Sequence, residues 1–379
     1  MKRRSKPAAL AALSLAALLG AAPASATEFE LSGFGSIVAG RSFGACTPDN
    51  VLASAFNGSC TRFVVDWGHG GVYRNNVSFR PESRVGVQGT ARFNPQLSAT
   101  VQVVGRLVDA PFAQVEWAYV TWSPTPEWTF QAGRKRVPLF FYSDFQDVGY
   151  AYPWIRVPPD VYGWDVVNYN GANATWSKTL GGWSLRSSVF GGAETSRRNG
   201  YSRIFYDDAK DVKWPRIAGA DLEFARDWFT GRVVYMRSGY EQVDRTTGTP
   251  DVQPSGATSG RHQAYGGSVN IDHGNFIARS EYSVFDRSRY AYKATSWFVS
   301  AGWRFGNLTP MLTVSNYSET TRFPDAYAIS RWSSLGASLR YDFGRSSALK
   351  VQVDRLRDRG ATPFMGSATL LSASYDFVF

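Results

Sequence analysis

Acyl hydrolysis needs an imidazole oriented against a serine or an acid, and the chain offers only three imidazoles in its 379 residues. His69 falls in an irregular stretch after the first strand, His262 opens a strand, and His273 sits in a tight turn before Gly274. None stands in a recognisable catalytic constellation, so each reads as a surface or loop residue, and no catalytic residue is expected. Asp207, Asp208 and Asp211 could supply oxygen to a calcium ion. A solvated loop is the simpler reading of so polar a segment, and neither metal nor cofactor is expected. The cysteine pair, Cys46 and Cys60, suits a disulfide closing one loop, worth about 3 kcal/mol by loop entropy if the chain is exported.

Export is what the N-terminus predicts. Lys2, Arg3, Arg4 and Lys6 precede an apolar run from Ala8 to Leu19, and Ala24-Ser25-Ala26 forms a small-residue cleavage site. That is a secretory signal over residues 1–26, cut after Ala26. The run is too short to span a bilayer as a helix. General secretion is favoured over twin-arginine export, because Arg3-Arg4 lacks the apolar residues that follow a twin-arginine pair. Losing the four cations lowers the net charge from +10 to +6. So mild an excess, spread over a large chain, argues against a nucleic-acid surface, which needs a clustered basic patch.

The elements that must position any site are strands. Thr369 to Phe379 places Leu371, Ala373, Tyr375, Phe377 and Phe379 on one parity and Ser372, Ser374 and Asp376 on the other, which is a strand with one apolar and one wet face. An aromatic edge strand invites aggregation unless another strand covers it, and barrel closure removes the edge. A first strand from Glu28 to Arg41 repeats the alternation. Val77 to Phe93 shows it most strongly, with Val77, Phe79, Val85, Val87, Ala91 and Phe93 opposite Arg80, Glu82, Arg84, Gln88, Thr90 and Arg92. Continued to the C-terminus, the pattern predicts sixteen strands over residues 27–379, joined alternately by seven short turns and eight longer loops. The fold class is all-β, a transmembrane antiparallel barrel with its turns on one side of the membrane and its loops on the other. A mean hydropathy of −0.26 does not oppose this, since inward and outward residues cancel in any average. From Arg136 to Trp164 the alternation fails, and the segment is too rich in proline and aromatics to wave in water. It should fold back onto something.

At this point the chain resembles the Gram-negative general porins, sixteen-stranded trimeric outer-membrane channels. The motifs are GFGSIVAG at Gly33 to Gly40, SRVGVQG at Ser83 to Gly89, the long third loop after the fifth strand, and YDFVF at the terminus. The resemblance implies an outer-membrane protein of a Gram-negative bacterium, a homotrimer amid lipid and lipopolysaccharide, inserted by the barrel-assembly machinery through its C-terminal strand, with Tyr375, Phe377 and Phe379 as the closing signal. It also implies a third loop folded into the barrel, with Asp144 and Asp147 facing Arg80 and Arg84 on the wall. With Glu82 these would set up a transverse field, and Lys135 and Arg156 would tilt the channel toward anions if they and Arg84 outweigh the aspartates. The implied function is passive diffusion of small hydrophilic solutes or ions. A channel selective for sugars or small acids, guided by rings such as Phe140, Phe141, Tyr142, Phe145, Tyr150, Tyr152 and Trp154, is the alternative, and a barrel enzyme or an adhesin stands behind it. The loop departs from the family by lacking its common glycine-rich acidic segment.

Overall fold

A computed structural model describes residues 27–44, 62–205, 210–360 and 366–379. Cys46, Cys60, Asp207, Asp208 and the signal segment lie outside the described residues. The first long strand, β1 (Glu28–Gly44), precedes a small hairpin of β2 (Phe63–Asp66) and β3 (Gly71–Tyr73). Then follow β4 (Arg84–Asn94), β5 (Leu97–Arg106), β6 (Ala113–Trp122), β7 (Trp128–Arg136), β8 (Asn168–Leu180) and β9 (Trp183–Ser196). After a short helix, α1 (Gly200–Phe205), come β10 (Asp211–Arg226), β11 (Phe229–Val243), β12 (Ser259–His273), β13 (Phe276–Asp286) and β14 (Tyr292–Trp303). The chain closes with β15 (Leu308–Thr321), β16 (Arg331–Phe343), β17 (Ser347–Asp358) and β18 (Ala368–Val378). All except β2 and β3 join one closed antiparallel barrel of sixteen strands, β1 pairing with both β4 and β18. Among the described residues no helix is long and apolar enough to cross a membrane.

Alternation fixes which face is which. On β17, Leu349, Val351 and Val353 point outward and exposed while Ala348, Lys350 and Gln352 are buried inside. At the end with the short turns, Trp122, Trp128, Trp228, Trp303, Phe343 and Phe379 form an exposed girdle, the interfacial belt of a membrane barrel. Closure depends on small residues meeting large ones. Gly35 lies opposite Phe377 in the register, and a β-carbon on Gly33 would come within 2.2 Å of the Phe379 ring. Phe379 also exchanges two backbone hydrogen bonds with Gly33, at 2.8 and 3.0 Å. The glycines of the first strand are therefore seats for the terminal aromatics, a cross-strand packing that recovers what glycine alone loses.

The segment from Val77 to Ser83 corrects one expectation, since the strand begins only at Arg84. Ser78 makes a single bridge to Gly40, after which the chain turns. Pro81 has no amide hydrogen for a ladder, the Ser83 amide bonds to the Phe79 carbonyl at 3.2 Å, and the Ser83 hydroxyl occupies the Val38 backbone at 3.0 and 3.2 Å. Local bonds have replaced the ladder, and Arg80 leaves the wall with them.

Candidate functional site: the barrel interior and its inner loop

The third long loop, 137–167, lies against inward-facing side chains of most of the barrel. Arg232 on β11 donates to the Phe140 and Pro138 carbonyls at 2.6 and 2.7 Å. Arg340 on β16 donates to those of Tyr150 and Tyr152 at 2.7 and 2.9 Å. Lys350 on β17 donates to those of Gly149 and Trp154 at 2.6 and 2.8 Å. An irregular segment exposes carbonyls that must be satisfied when buried; here three cations from three walls satisfy six. Gly149 crosses so near the wall that a β-carbon would meet the Asp376 carboxylate at 2.3 Å.

The loop's aromatics fill one side of the interior. Tyr142, Tyr152 and Trp154 are buried against Met236, Ile277, Phe298 and Met311. Trp154 meets Tyr142 and Phe298 edge-on, each at 5.7 Å, and its indole donates to Ser300 and Thr313 at 3.0 and 3.1 Å. Rings buried edge to face hold the loop to the wall, Trp154 with only 1% exposed, whereas Phe141, Phe145 and Tyr150 are half-buried.

Two charge networks take up most of the residues expected at a constriction. Asp147 accepts from Arg106 at 2.7 and 3.2 Å and from Arg136, with Arg84 4.0 Å away. Glu116 neutralises the other side of Arg106 and Arg136, and Asn168 donates to it at 2.8 Å. Arg84 itself donates to the Tyr152 hydroxyl at 2.9 Å. In the second network Arg156 makes a bidentate pair with Glu82 at 2.7 Å, and also bonds Asp354 and the Ser372 hydroxyl. Arg106, Arg136, Asp147, Arg156 and Glu82 are all buried. Ions so placed must be paired to be tolerated, and paired they bind the loop to the wall. Arg80 stands apart from both networks, exposed in its turn with Nε donating to the Leu107 carbonyl at 3.3 Å.

Asp144 and Lys135 differ from these. Asp144 is exposed in a short turn, Ser143–Phe145, and makes no hydrogen bond or ion pair among the described residues. It acts electrostatically on Lys135, as does Asp221. Lys135 is held by Asn173 at 2.9 Å and by Gln131, and Arg186 on β9 reaches Asp221 at 3.4 Å with 41% of its side chain exposed. At the mouth, loop residue His69 pairs with Asp66 at 2.9 Å. Burial raises the Asp66 carboxyl, but the imidazole charge and its hydrogen bond outweigh this and hold it at about 2. Burial and Arg106 depress His69, yet Asp66 and Asp109 prevail and its pKa is raised. A cavity of about 480 Å³ opens beside it, lined by Asp109, Glu116, Arg134, Glu194 and Arg203 among others.

The Gram-negative porin family model matches residues 9–361. The chain belongs to the Gram-negative porin family. It is an outer-membrane channel for the diffusion of small solutes. A comparison with curated proteins finds no match. Among solved structures, the outer-membrane channel DcaP of Acinetobacter baumannii shares 10% identity over 93% of this chain and 97% of its own, with a TM-score of 0.61. OmpF of Salmonella typhi, in complex with daunomycin, shares 12% over 93% and 98%, at 0.59. An anion-selective porin of Comamonas acidovorans shares 12% over 93% and 100%, at 0.53. At these identities the likeness is one of fold.

Family and fold make this porin a channel rather than an enzyme. His262 is fully buried, 3.4 Å from the Ser238 hydroxyl, but that hydroxyl donates to the Gly239 carbonyl, and His262 Nδ1 has no hydrogen-bond partner among the described residues. Asp211 accepts from the Arg198 amide at 2.9 Å and pairs with Arg245 at 3.2 Å. Sequence reasoning missed Arg106, Glu116, Arg136, Arg232, Arg340 and Lys350. Their signal was charge at an inward parity position, as for Arg106 in Leu97–Arg106 and Lys350 between Leu349 and Val351.

Proposed function

We propose that small hydrophilic solutes and ions cross this porin between Asp144 on the inner loop and the wall of β7, β9 and β10, where Lys135, Arg186 and Asp221 stand. The observation that carries this reading is the contrast between one exposed, unpaired loop carboxylate and the buried, fully engaged Asp147. A charge opposite cations across a polar passage makes a transverse field, which favours polar solutes over apolar ones. At about 6 Å in water a unit charge acts on a passing ion with about 0.7 kcal/mol. Removing it weakens the cation and strengthens the anion by that amount, so Asp144→Asn should shift the permeability ratio about tenfold toward anions. Lys135→Gln should shift it the other way. Reversal potentials in a planar bilayer under a salt gradient measure both, and an unchanged value for Asp144→Asn would remove the aspartate from the route.

The same reading includes a homotrimer in a leaflet of lipopolysaccharide, export by a signal at residues 1–26 cleaved after Ala26, and insertion by the barrel-assembly machinery through Tyr375, Phe377 and Phe379. It also includes a disulfide between Cys46 and Cys60, which thiol labelling without reductant tests. The resemblance to general porins supports the trimer, and conductance steps arriving in threes are the expected sign of it.

A further inference from the structure

The hairpin of β2 and β3 does not stay at the rim from which it rises. Its base is tied to β1, where the Ser42 amide donates to the Arg74 carbonyl at 2.8 Å. Its tip reaches α1, between β9 and β10, and there Arg203 donates to the His69 carbonyl at 2.9 Å. The two backbones touch, since a β-carbon on Gly200 would come within 2.4 Å of the Gly68 carbonyl oxygen. In the ring of sixteen strands β9 lies six places from β1 one way and ten the other, so the hairpin crosses the mouth close to a diameter. It also rests on the end of the inner loop, where a β-carbon on Gly68 would meet the Val167 side chain at 2.7 Å.

The two sides of this strap differ. Toward β16, Trp67 stacks on Trp332 at 5.7 Å, Trp332 stacks on Tyr317 at 4.2 Å, and all three rings are buried. Toward β6, β7, β8 and β9 lies the cavity of about 480 Å³, walled by Gly68 and His69 of the strap and by Gln114, Arg134, Asn168 and Glu194 of those four strands. One side is packed with rings and the other is polar and open. We propose that the hairpin is a size filter at the mouth, in series with the inner loop, which passes solutes on its β6–β9 side, and that Trp67 holds it against β16. Pore diameter and lining are what a channel selects by. Phe63, Val64, Val65, Trp67 and Tyr73 are all buried, and that much apolar surface keeps the strap out of water and in place. The inference rests on the chain being a channel and not on the route past Asp144.

A polymer that enters a channel lowers its current, so polyethylene glycols of graded size, added to one side of a planar bilayer at a time, measure each entrance separately. A cavity of about 480 Å³ is about 10 Å across if round, and a hairpin with its side chains is about as wide. Replacing Phe63–Tyr73 by two glycines should therefore about double the largest polymer diameter admitted from the loop side and leave the limit from the turn side unchanged. Asp144 and Lys135 stay in place, so the reversal potential of this variant should equal the parent's; failure of the route reading appears instead as an unshifted potential in Asp144→Asn. Equal loop-side limits in variant and parent overturn the proposal. So does a limit that rises from both sides, which would make the inner loop the filter and the strap only its support. Should the variant not fold, replacing Trp67–Gly70 by two glycines removes the Trp332 stack and the reach to α1. It should raise the loop-side limit alone, and the same two results would overturn the proposal.

Discussion

Replacing Asp147 with asparagine keeps the side chain's shape and removes its charge. In the native barrel two buried guanidiniums, Arg106 and Arg136, each 2% exposed, are met by three carboxylates, Asp147 and Glu116, which contact both, and Asp109, 3.4 Å from Arg106. In Asp147→Asn, Glu116 is the one carboxylate left that both contact, Asp109 remains on Arg106 alone, and Arg84 loses the carboxylate 4.0 Å from it. Breaking a buried ion pair by removing one partner costs about 3–5 kcal/mol, which enriches the detached state of this loop segment by about 150- to 5,000-fold. Asp147 lies on the loop and its cations on the wall, so the stabilisation lost is that of the contact between them. Refolded protein in a planar bilayer should therefore show excess open-channel noise and a less uniform conductance, while its reversal potential moves little. Asp144→Asn should do the reverse, moving the potential in a quiet channel. A quiet Asp147→Asn channel whose reversal potential shifts as far as that of Asp144→Asn would place Asp147 in the water-filled passage and refute the division of labour between the two.

Two further outcomes follow from the same geometry. Lys350→Met should free the far end of the loop and leave Asp376, 3.1 Å from the ammonium and itself buried, without its cation; larger and noisier currents are expected, and currents identical to the parent would show that the loop does not depend on this lysine. The His69–Asp66 pair predicts a pH effect at the mouth. Because the pKa of His69 is raised above its ordinary 6.5, the stabilisation is complete below that pH and disappears as pH climbs through the raised value. Hydrogen exchange over residues 63–73 should thus be slower at pH 5.5 than at 8.5 after correction for intrinsic rates. His69→Gln should abolish the difference, and a parent protein lacking it refutes the coupling.

The barrel was legible because each strand carries its own two-residue period, and the period needs no partner to be read. Leu349, Val351 and Val353 announce an outward face wherever β17 is placed. The inner loop was legible only as a failure of that period. Which of its acids faces water depends on partners far away in sequence, since Asp147 meets Arg106 41 residues upstream and Arg156 meets Asp354 198 residues downstream. Nothing local distinguishes Asp144 from Asp147. Arg80 shows the opposite failure, in which a convincing local alternation around Val77 and Phe79 yields to Pro81 and the Ser83 hydroxyl. Alternation reports an amphipathic surface, and a turn at the barrel rim has one too.

The way the loop is held also limits how the channel can change. Each of its six carbonyls bound by Arg232, Arg340 or Lys350 takes part in a charge-assisted bond, worth about 1.5–3 kcal/mol net. Swinging the whole loop away must break them together with the Asp147 and Arg156 networks, a cost of at least about 9 kcal/mol from the carbonyls alone. Fewer than about one molecule in a million would be open at any moment. Wholesale movement of the loop is therefore not a means of gating. Variation in the passage has to come from parts that break none of these bonds, and the exposed Asp144 side chain is such a part, whereas its neighbours are held, Ser143 through its hydroxyl by the Phe140 amide at 3.0 Å and Phe145 by ring contacts with Phe141 and Tyr142. The residue proposed to set the field across the route is thus one whose side chain can reorient without breaking an anchoring bond, which ties selectivity and current fluctuation to the same carboxylate.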